Sequence, residues 1–239
     1  MPQYKDRPVA VALNNEVEFH SIRKLADLVE TKRVFNLDKA LIRSLDIVVS
    51  ATMIVVLAPL LATIALVVWF TDPGAMIFGH KRLGLGGKTF RCFKFRSMVV
   101  DAQARLDALL ASDPVARAEW DRDHKLKNDP RITAIGGFLR KSSLDELPQL
   151  FNVLMGTMSL VGPRPIVFDE IRRYGRYFTD YCAVRPGVTG LWQCSGRSDV
   201  SYRRRVAMDV TYVRSASLKL NLGLLLKTIP SVIKSHGSY

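Results

Sequence analysis

The spacing of apolar and polar positions divides the chain before any motif is considered. From Ile47 to Phe70 the run IVVSATMIVVLAPLLATIALVVWF carries no charged residue and is apolar on every helical face, which predicts a membrane-associated helical segment rather than the core helix of a soluble domain. Before it, residues 1 to about 35 mix charges with little periodicity and predict a loose extension, with a short helix around Ser21 to Val29. After Thr71 the pattern is that of a globular unit. Short apolar runs between Gly79, Gly84, Gly86 and Gly87 predict a β-hairpin over Met76 to Met98. Its second strand, Phe90 to Arg96, puts Arg91, Phe93 and Phe95 on one face and Cys92, Lys94 and Arg96 on the other. Helical spacing follows from Asp101 to about Lys127, broken near Pro114, and Asn128-Asp129-Pro130 closes it as a turn. A second helix is predicted from Ser142 or Asp145 to Gly156, a third around Asp169 to Phe178, and a last apolar one from Leu218 to Ile233.

Basic residues flank the apolar run on both sides: Arg23, Lys24, Lys32, Arg33, Lys39 and Arg43 before it, and Lys81, Arg82, Lys88, Arg91, Lys94 and Arg96 after it. Such residues prefer the cytoplasmic side, so a straight span would force one cluster across the membrane. Pro59 lies mid-run, where its missing N–H bends a helix and leaves each arm about half as long as the roughly 20 residues a span requires. A re-entrant hairpin satisfies both constraints, with Ser50, Thr52 or neighbouring helices available to partner backbone groups freed at the bend. A single span is the competing reading.

Length and charge narrow the class. The 239 residues suit one catalytic unit plus a membrane element, dividing as extension 1–37, membrane-associated helix 38–72 and globular domain 73–239. A formal net charge of +13 points to polyanionic partners: nucleic acid, anionic headgroups or phosphorylated substrates. Cys92, Cys182 and Cys194 have neither disulfide-framework nor zinc spacing and fit a reducing compartment, and the polar first forty residues do not read as a signal peptide.

Asp145 and Glu146 are adjacent carboxylates in RKSSLDELPQLFN. Ser143 with Glu146 matches a capping box, the ordinary structural explanation. Pro148 argues for a helix start nearer Asp145, where free backbone N–H groups would keep the carboxylate ionised and could also receive a phosphate. A carboxylate can attack phosphorus to form an acyl phosphate, provided that cations neutralise the charge on both anions. Glu146 could help hold Mg²⁺, and Arg140, Lys141 and Arg164 are nearby clamps, each also readable as a solvated surface charge. In VGPRP, Pro163 and Pro165 stiffen the loop that presents Arg164, which suits a diphosphate but equally a rigid turn. Trp192, in RPGVTGLWQ, could stack on a base or pack into the core.

Taken together, KFRSM at 94–98, LRKSSLDELPQLFNVLMGTMSLVGPRP at 139–165, RPGVTGLWQCSGR at 185–197 and MDVTY at 208–212 resemble the bacterial sugar transferases, also called monotopic phosphoglycosyl transferases. Within that family the resemblance is to the undecaprenyl-phosphate galactose phosphotransferases of exopolysaccharide synthesis, including the ending Gly237-Ser238-Tyr239. It runs from about Asp38 to the C-terminus. The resemblance implies a mainly α monotopic membrane protein with a re-entrant helix hairpin and an α/β catalytic domain on the cytoplasmic face of the inner membrane. It implies a ping-pong reaction in which Asp145 attacks the β-phosphate of a UDP-sugar, UDP-galactose or UDP-glucose, UMP leaves, and undecaprenyl phosphate takes the sugar phosphate. By the same resemblance Asp145 is the nucleophile, Glu146 its partner at Mg²⁺, Lys94, Arg140 and Arg164 phosphate or nucleotide contacts, and Asp209 a supporting carboxylate. One departure is Ala58-Pro59 at the bend, where relatives often have Ser-Pro. A homodimer is compatible with this reading, and lipid is a partner where nucleic acid is not, because a membrane anchor has no obvious use in nucleic-acid binding. A non-catalytic, membrane-tethered scaffold for polysaccharide export is the alternative from another class.

Overall fold

The computed structural model describes residues 37–123, 126–194 and 200–233. The predicted extension with its helix at Ser21 to Val29 and the basic residues Arg23, Lys24, Lys32 and Arg33, the end of the RPGVTGLWQCSGR motif and the Gly237-Ser238-Tyr239 ending lie outside the described residues.

Helices α1 (Leu37–Val56) and α2 (Ala58–Thr71) contain the whole apolar run and meet at a bend of 63°. Pro59 falls in the first turn of α2, where it offers no N–H to continue α1, so the proline sets the break as its chemistry requires. Thr63 Oγ1 donates to Pro59 O at 2.9 Å, whereas Ser50 donates to Ile47 O, well before the bend. Among the described residues no single helix is long and apolar enough to cross a membrane.

α1 starts about ten residues ahead of the apolar run, and this charged first half belongs to the globular body. Asp46 is buried, accepting from Leu160 N–H at 2.9 Å and Ser159 Oγ at 3.0 Å. Arg43 donates to Val153 O and Leu154 O, two carbonyls at the end of a later helix, where the helix itself leaves acceptors to be filled.

The predicted hairpin is present as β1 (Ile77–Leu83) and β2 (Thr89–Phe95), antiparallel, in a register that pairs Phe78 with Lys94, His80 with Cys92 and Arg82 with Phe90. Directly opposite residues share a face, so these six side chains form one side of the ribbon. On the other side Phe95 is buried against Ile64 and Val68 of α2 and Leu139. The broken helix is also present, as α3 (Ala102–Ser112) and α4 (Pro114–Asp123), divided at Asp113-Pro114.

The next segment differs from expectation. A helix absent from the sequence reading, α5 (Ala134–Ser142), starts with Thr133 as its cap and ends at Ser143, whose φ of 58° lies in the left-handed region. Ser143 therefore closes one helix and does not cap the next; its side chain makes no capping bond, and the capping box is not realised. A tight 3₁₀ turn follows at Leu144–Glu146, and α6 (Gln149–Met155) begins only after Pro148, ending at Gly156 with φ 84°. Thr133 and the two adjacent glycines after it obscured α5, because glycine is a poor helix former.

Strand β3 (Ser159–Val161) pairs in parallel with β4 (Gly187–Thr189), a second two-stranded sheet too short to be seen as an apolar run. Between them, the single helix predicted over Asp169 to Phe178 is a series of short turns including α7 (Ile171–Tyr174) and α8 (Phe178–Cys182), interrupted at Gly175 with φ 52°. An unpredicted helix, α9 (Tyr202–Ser215), precedes α10 (Leu218–Ile233), which has the predicted bounds. The fold is mostly helical. Its main core joins Leu150 and Val153 of α6, Met158, Leu160, Val161, Tyr212 and Leu224, and Val49 and Ile54 of α1 pack on it.

Candidate active site

The 3₁₀ turn at Leu144–Glu146 presents two carboxylates to the polar face of the β1–β2 ribbon. Lys94 Nζ stands 2.6 Å from Glu146 Oε1 and 3.6 Å from Asp145 Oδ2. Asp145 is buried and Glu146 half-buried. Arg140, in the last turn of α5, is held by a 2.8 Å bond from its Nε to Ser97 Oγ, and its charge acts on Asp145.

The electrostatics differ from the sequence expectation. Free N–H groups were to keep Asp145 ionised, but Glu146 N–H donates to Ser143 O and Leu147 N–H to Leu144 O, so the turn uses these donors itself. Burial pushes the Asp145 carboxyl up from its ordinary value; Lys94 and Arg140 oppose that shift, and Glu146 adds to it. Burial would lower the Lys94 ammonium, but Glu146 and Asp145 outweigh it and its pKa rises. Lysine thus stays charged between the carboxylates.

A second cluster lies along the ribbon. Arg164 is exposed between the buried Pro163 and Pro165, so the stiff loop presents it outward as expected. Pro165 O accepts from Arg82 Nη1 at 3.3 Å, and Arg82 pairs with Glu170 at 3.8 Å. Asp209, buried in α9, accepts from Tyr174 OH at 2.7 Å, while its Oδ1 has no hydrogen-bond partner among the described residues. Burial pushes its carboxyl up to about 7, opposed by the Tyr174 bond and the Arg164 charge. The structure thus joins Lys94, Asp145 and Glu146 directly and links Arg140 to Asp145, and Arg164 to Asp209, through charge. Lys141 is exposed. Trp192 is packed into the body, with the Arg205 guanidinium 4.7 Å over its ring, so the packing alternative is the one realised.

Asn152 was missed. Fully buried on α6, it accepts from Phe93 N–H at 2.8 Å and donates to Arg91 O at 2.7 Å, completing the free edge of β2 as another strand would. It thereby ties the helix that follows Asp145 to the strand that carries Lys94. The signal was one amide within the apolar text Leu150-Phe151-Asn152-Val153-Leu154.

No group of three or more His, Cys, Asp or Glu side chains is placed to hold a metal among the described residues. Asp145 and Glu146 form a pair. Mg²⁺ is commonly held by one or two carboxylates together with substrate phosphates and water, so this donor set fits a shared Mg²⁺ and not an all-protein cage.

A family model described as bacterial sugar transferase matches residues 37–235. The chain belongs to the bacterial sugar transferase family. The family match opens on the first residue of α1, so the bent helix pair is part of the family unit. This bacterial sugar transferase is 52% identical over 200 residues to an undecaprenyl-phosphate galactose phosphotransferase of Salmonella typhimurium, a match covering 82% of the chain and 41% of that protein. It is 47% identical over 197 residues to the exopolysaccharide production protein ExoY of Rhizobium meliloti, covering 82% and 87%. A UDP-glucose:undecaprenyl-phosphate glucose-1-phosphate transferase of Caulobacter vibrioides is 38% identical over 205 residues, covering 82% and 71%. The sugar transferase chain spans about two fifths of the length of the Salmonella relative, and most of the length of ExoY.

Proposed function

We propose that the protein transfers a sugar 1-phosphate from a UDP-sugar, UDP-galactose or UDP-glucose, to undecaprenyl phosphate as the first membrane step of exopolysaccharide repeat-unit synthesis. The observation that carries this reading is Asp145: a buried carboxylate in a tight turn, facing an ammonium and within the field of a guanidinium. A carboxylate oxygen of Asp145 attacks the β-phosphorus, the bond from that phosphorus to the oxygen of the α-phosphate breaks, and UMP leaves with the electron pair. The phosphate oxygen of the lipid then attacks the same phosphorus and displaces Asp145 as a free carboxylate. Lys94 and Arg140 offset the charge of the approaching anions, and burial excludes water that would hydrolyse the acyl phosphate. Arg164, on its stiff loop, is placed to hold the donor's diphosphate, with Asp209 supporting it. Mg²⁺ held by Asp145 and Glu146 with the substrate phosphates would supply further charge neutralisation.

The bent α1–α2 pair supports a re-entrant insertion from the cytoplasmic face of the inner membrane: a 63° break at proline, with basic residues following α2 and preceding the apolar half of α1. The test is UMP release by the purified protein with Mg²⁺, a panel of UDP-sugars and undecaprenyl phosphate. Wild type should release UMP with one preferred sugar, and Asp145→Asn should lower the rate by at least about 10³-fold. No release with any donor, from folded protein, would leave the scaffold reading in its place.

A further inference from the structure

The polar face of the ribbon changes character along its length, with Lys94 at the change. At one end Arg82, paired with Glu170, reaches Pro165 O beside the exposed Arg164, so the face in that direction ends at the loop proposed to hold the diphosphate. At the other end Phe78 is the direct cross-strand partner of Lys94 and is 56% exposed. Met76 and Ile77, which precede it, are exposed as well. This end of the ribbon is fastened to the C-terminus of α2: Arg96 N–H donates to Met76 O at 2.9 Å, and the Arg96 guanidinium bonds Asp72 O and Val68 O. There Trp69 and Phe70 are exposed in turn, Phe70 at 73%.

Isolated exposed apolar residues need no explanation, but a cluster beside a half-buried cation does. The two ends differ as two substrates would. A nucleotide sugar is polar throughout and carries two phosphates, which suits the Arg82–Arg164 end. A lipid phosphate carries one phosphate and an apolar tail, which suits an ammonium flanked by an exposed ring and by the end of the membrane helix.

We propose that Phe78, beside Lys94, receives the first isoprene units of the lipid acceptor, with Met76 continuing that contact toward the end of α2. This rests on the transferase reading above. It makes Phe78 an acceptor-binding residue that has no part in donor turnover, and it places the donor and the acceptor on opposite flanks of Lys94. The acceptor phosphate then approaches Asp145 from the membrane side while its tail leaves toward the bilayer.

The test separates the two half-reactions in Phe78→Ala, with Phe78→Leu as the conservative variant. UMP released in the first turnover without acceptor reads the donor step. The KM for undecaprenyl phosphate and for a ten-carbon polyprenyl phosphate reads the acceptor step. Loss of most of a phenylalanine contact is worth about a tenfold change or more. The expected result in Phe78→Ala is a KM about tenfold higher for both acceptors, an unaltered UMP burst, and substantial recovery in Phe78→Leu. A weakened burst would mean that the ring stacks on the donor's base. A rise confined to the long acceptor would mean that the ring only sits in lipid. Either result, or no change, overturns the proposal. A wild type that releases no UMP would sink the transferase reading itself, and this inference with it.

Discussion

Asn152 Oδ1 accepts a hydrogen bond from Phe93 N–H at 2.8 Å, which locks α6 to the edge of β2 one residue away from Lys94. The amide satisfies a donor and an acceptor of that edge at once, since its Nδ2 donates to Arg91 O. Asn152→Leu, similar in size, removes both and leaves two partly buried backbone groups without this partner. It should cost about 3 kcal/mol of stability and lower transferase activity beyond the loss of folded protein, read by thermal unfolding and by UMP release per folded molecule. Asn152→Asp should fail too, because a carboxylate has no proton to give Arg91 O.

Lys94→Met removes the charge between Asp145 and Glu146. With Lys94 partly exposed, its loss should cost about 2 kcal/mol near neutral pH. Asp145 would then hold its proton to higher pH in the folded state than unfolded, so the defect should shrink on acidification. UMP release should fall by at least about 10²-fold. A variant with wild-type activity would remove Lys94 from the chemistry.

Asp209 makes stability depend on pH in the direction opposite to that of an ion-paired carboxylate. Its carboxyl is pushed up to about 7 in the folded protein from an ordinary 3.8, so folding takes up a proton between these values and stability falls as pH rises through that window. Asp209→Asn should flatten this part of the profile and raise stability above about pH 7 by up to about 4 kcal/mol. Melting curves of both proteins at about pH 5 and about pH 8 check it; parallel profiles would show that Asp209 is not the titrating group.

Gly136 is the contact point between α5 and the Ser97 backbone: a Cβ there would collide with the Ser97 carbonyl. Gly136→Ala should push α5 away, cost about 2 kcal/mol, and loosen the Arg140–Ser97 bond. Gly137→Ala, where an added Cβ meets only Ile132 Cγ2 at 4.0 Å, should be tolerated. Unfolding of the two variants side by side distinguishes a packing effect from a general cost of alanine.

The sequence made legible what depends on local chemistry. Pro59 breaks its helix wherever the chain goes, the hairpin's alternation fixes which side Lys94 faces, and the apolar spacing of Leu218 to Ile233 predicts that helix. It misplaced what depends on partners distant in the chain. Ser143 looked like a cap because its neighbours permit one, yet the chain turns left-handed there to end a helix whose glycines disguised it. The pairing of β3 with β4 is three residues long and rests on the close approach of Gly162 and Gly187, a tertiary fact without local periodicity. Asp145 and Glu146 stand out in the sequence as an adjacent pair with Arg140, Lys141 and Arg164 as nearby cations, and the family resemblance adds Lys94 as a phosphate or nucleotide contact. The Lys94–Asp145 contact and the brace at Asn152 are not legible there, because each joins residues more than fifty positions apart.

The two halves of α1 differ in what they meet. Arg43 closes the carbonyl end of α6 and Asp46 anchors β3, while the same helix, a few residues on, is apolar throughout. Strand β3 leads directly into the loop that carries Arg164. A chain begun at residue 73 would therefore lose keystones of the globular body along with the bent helix pair. If the α1–α2 pair inserts as proposed, its depth and tilt in the bilayer become mechanical inputs to the site, and a change of lipid thickness that moves α1 would be felt at Arg164.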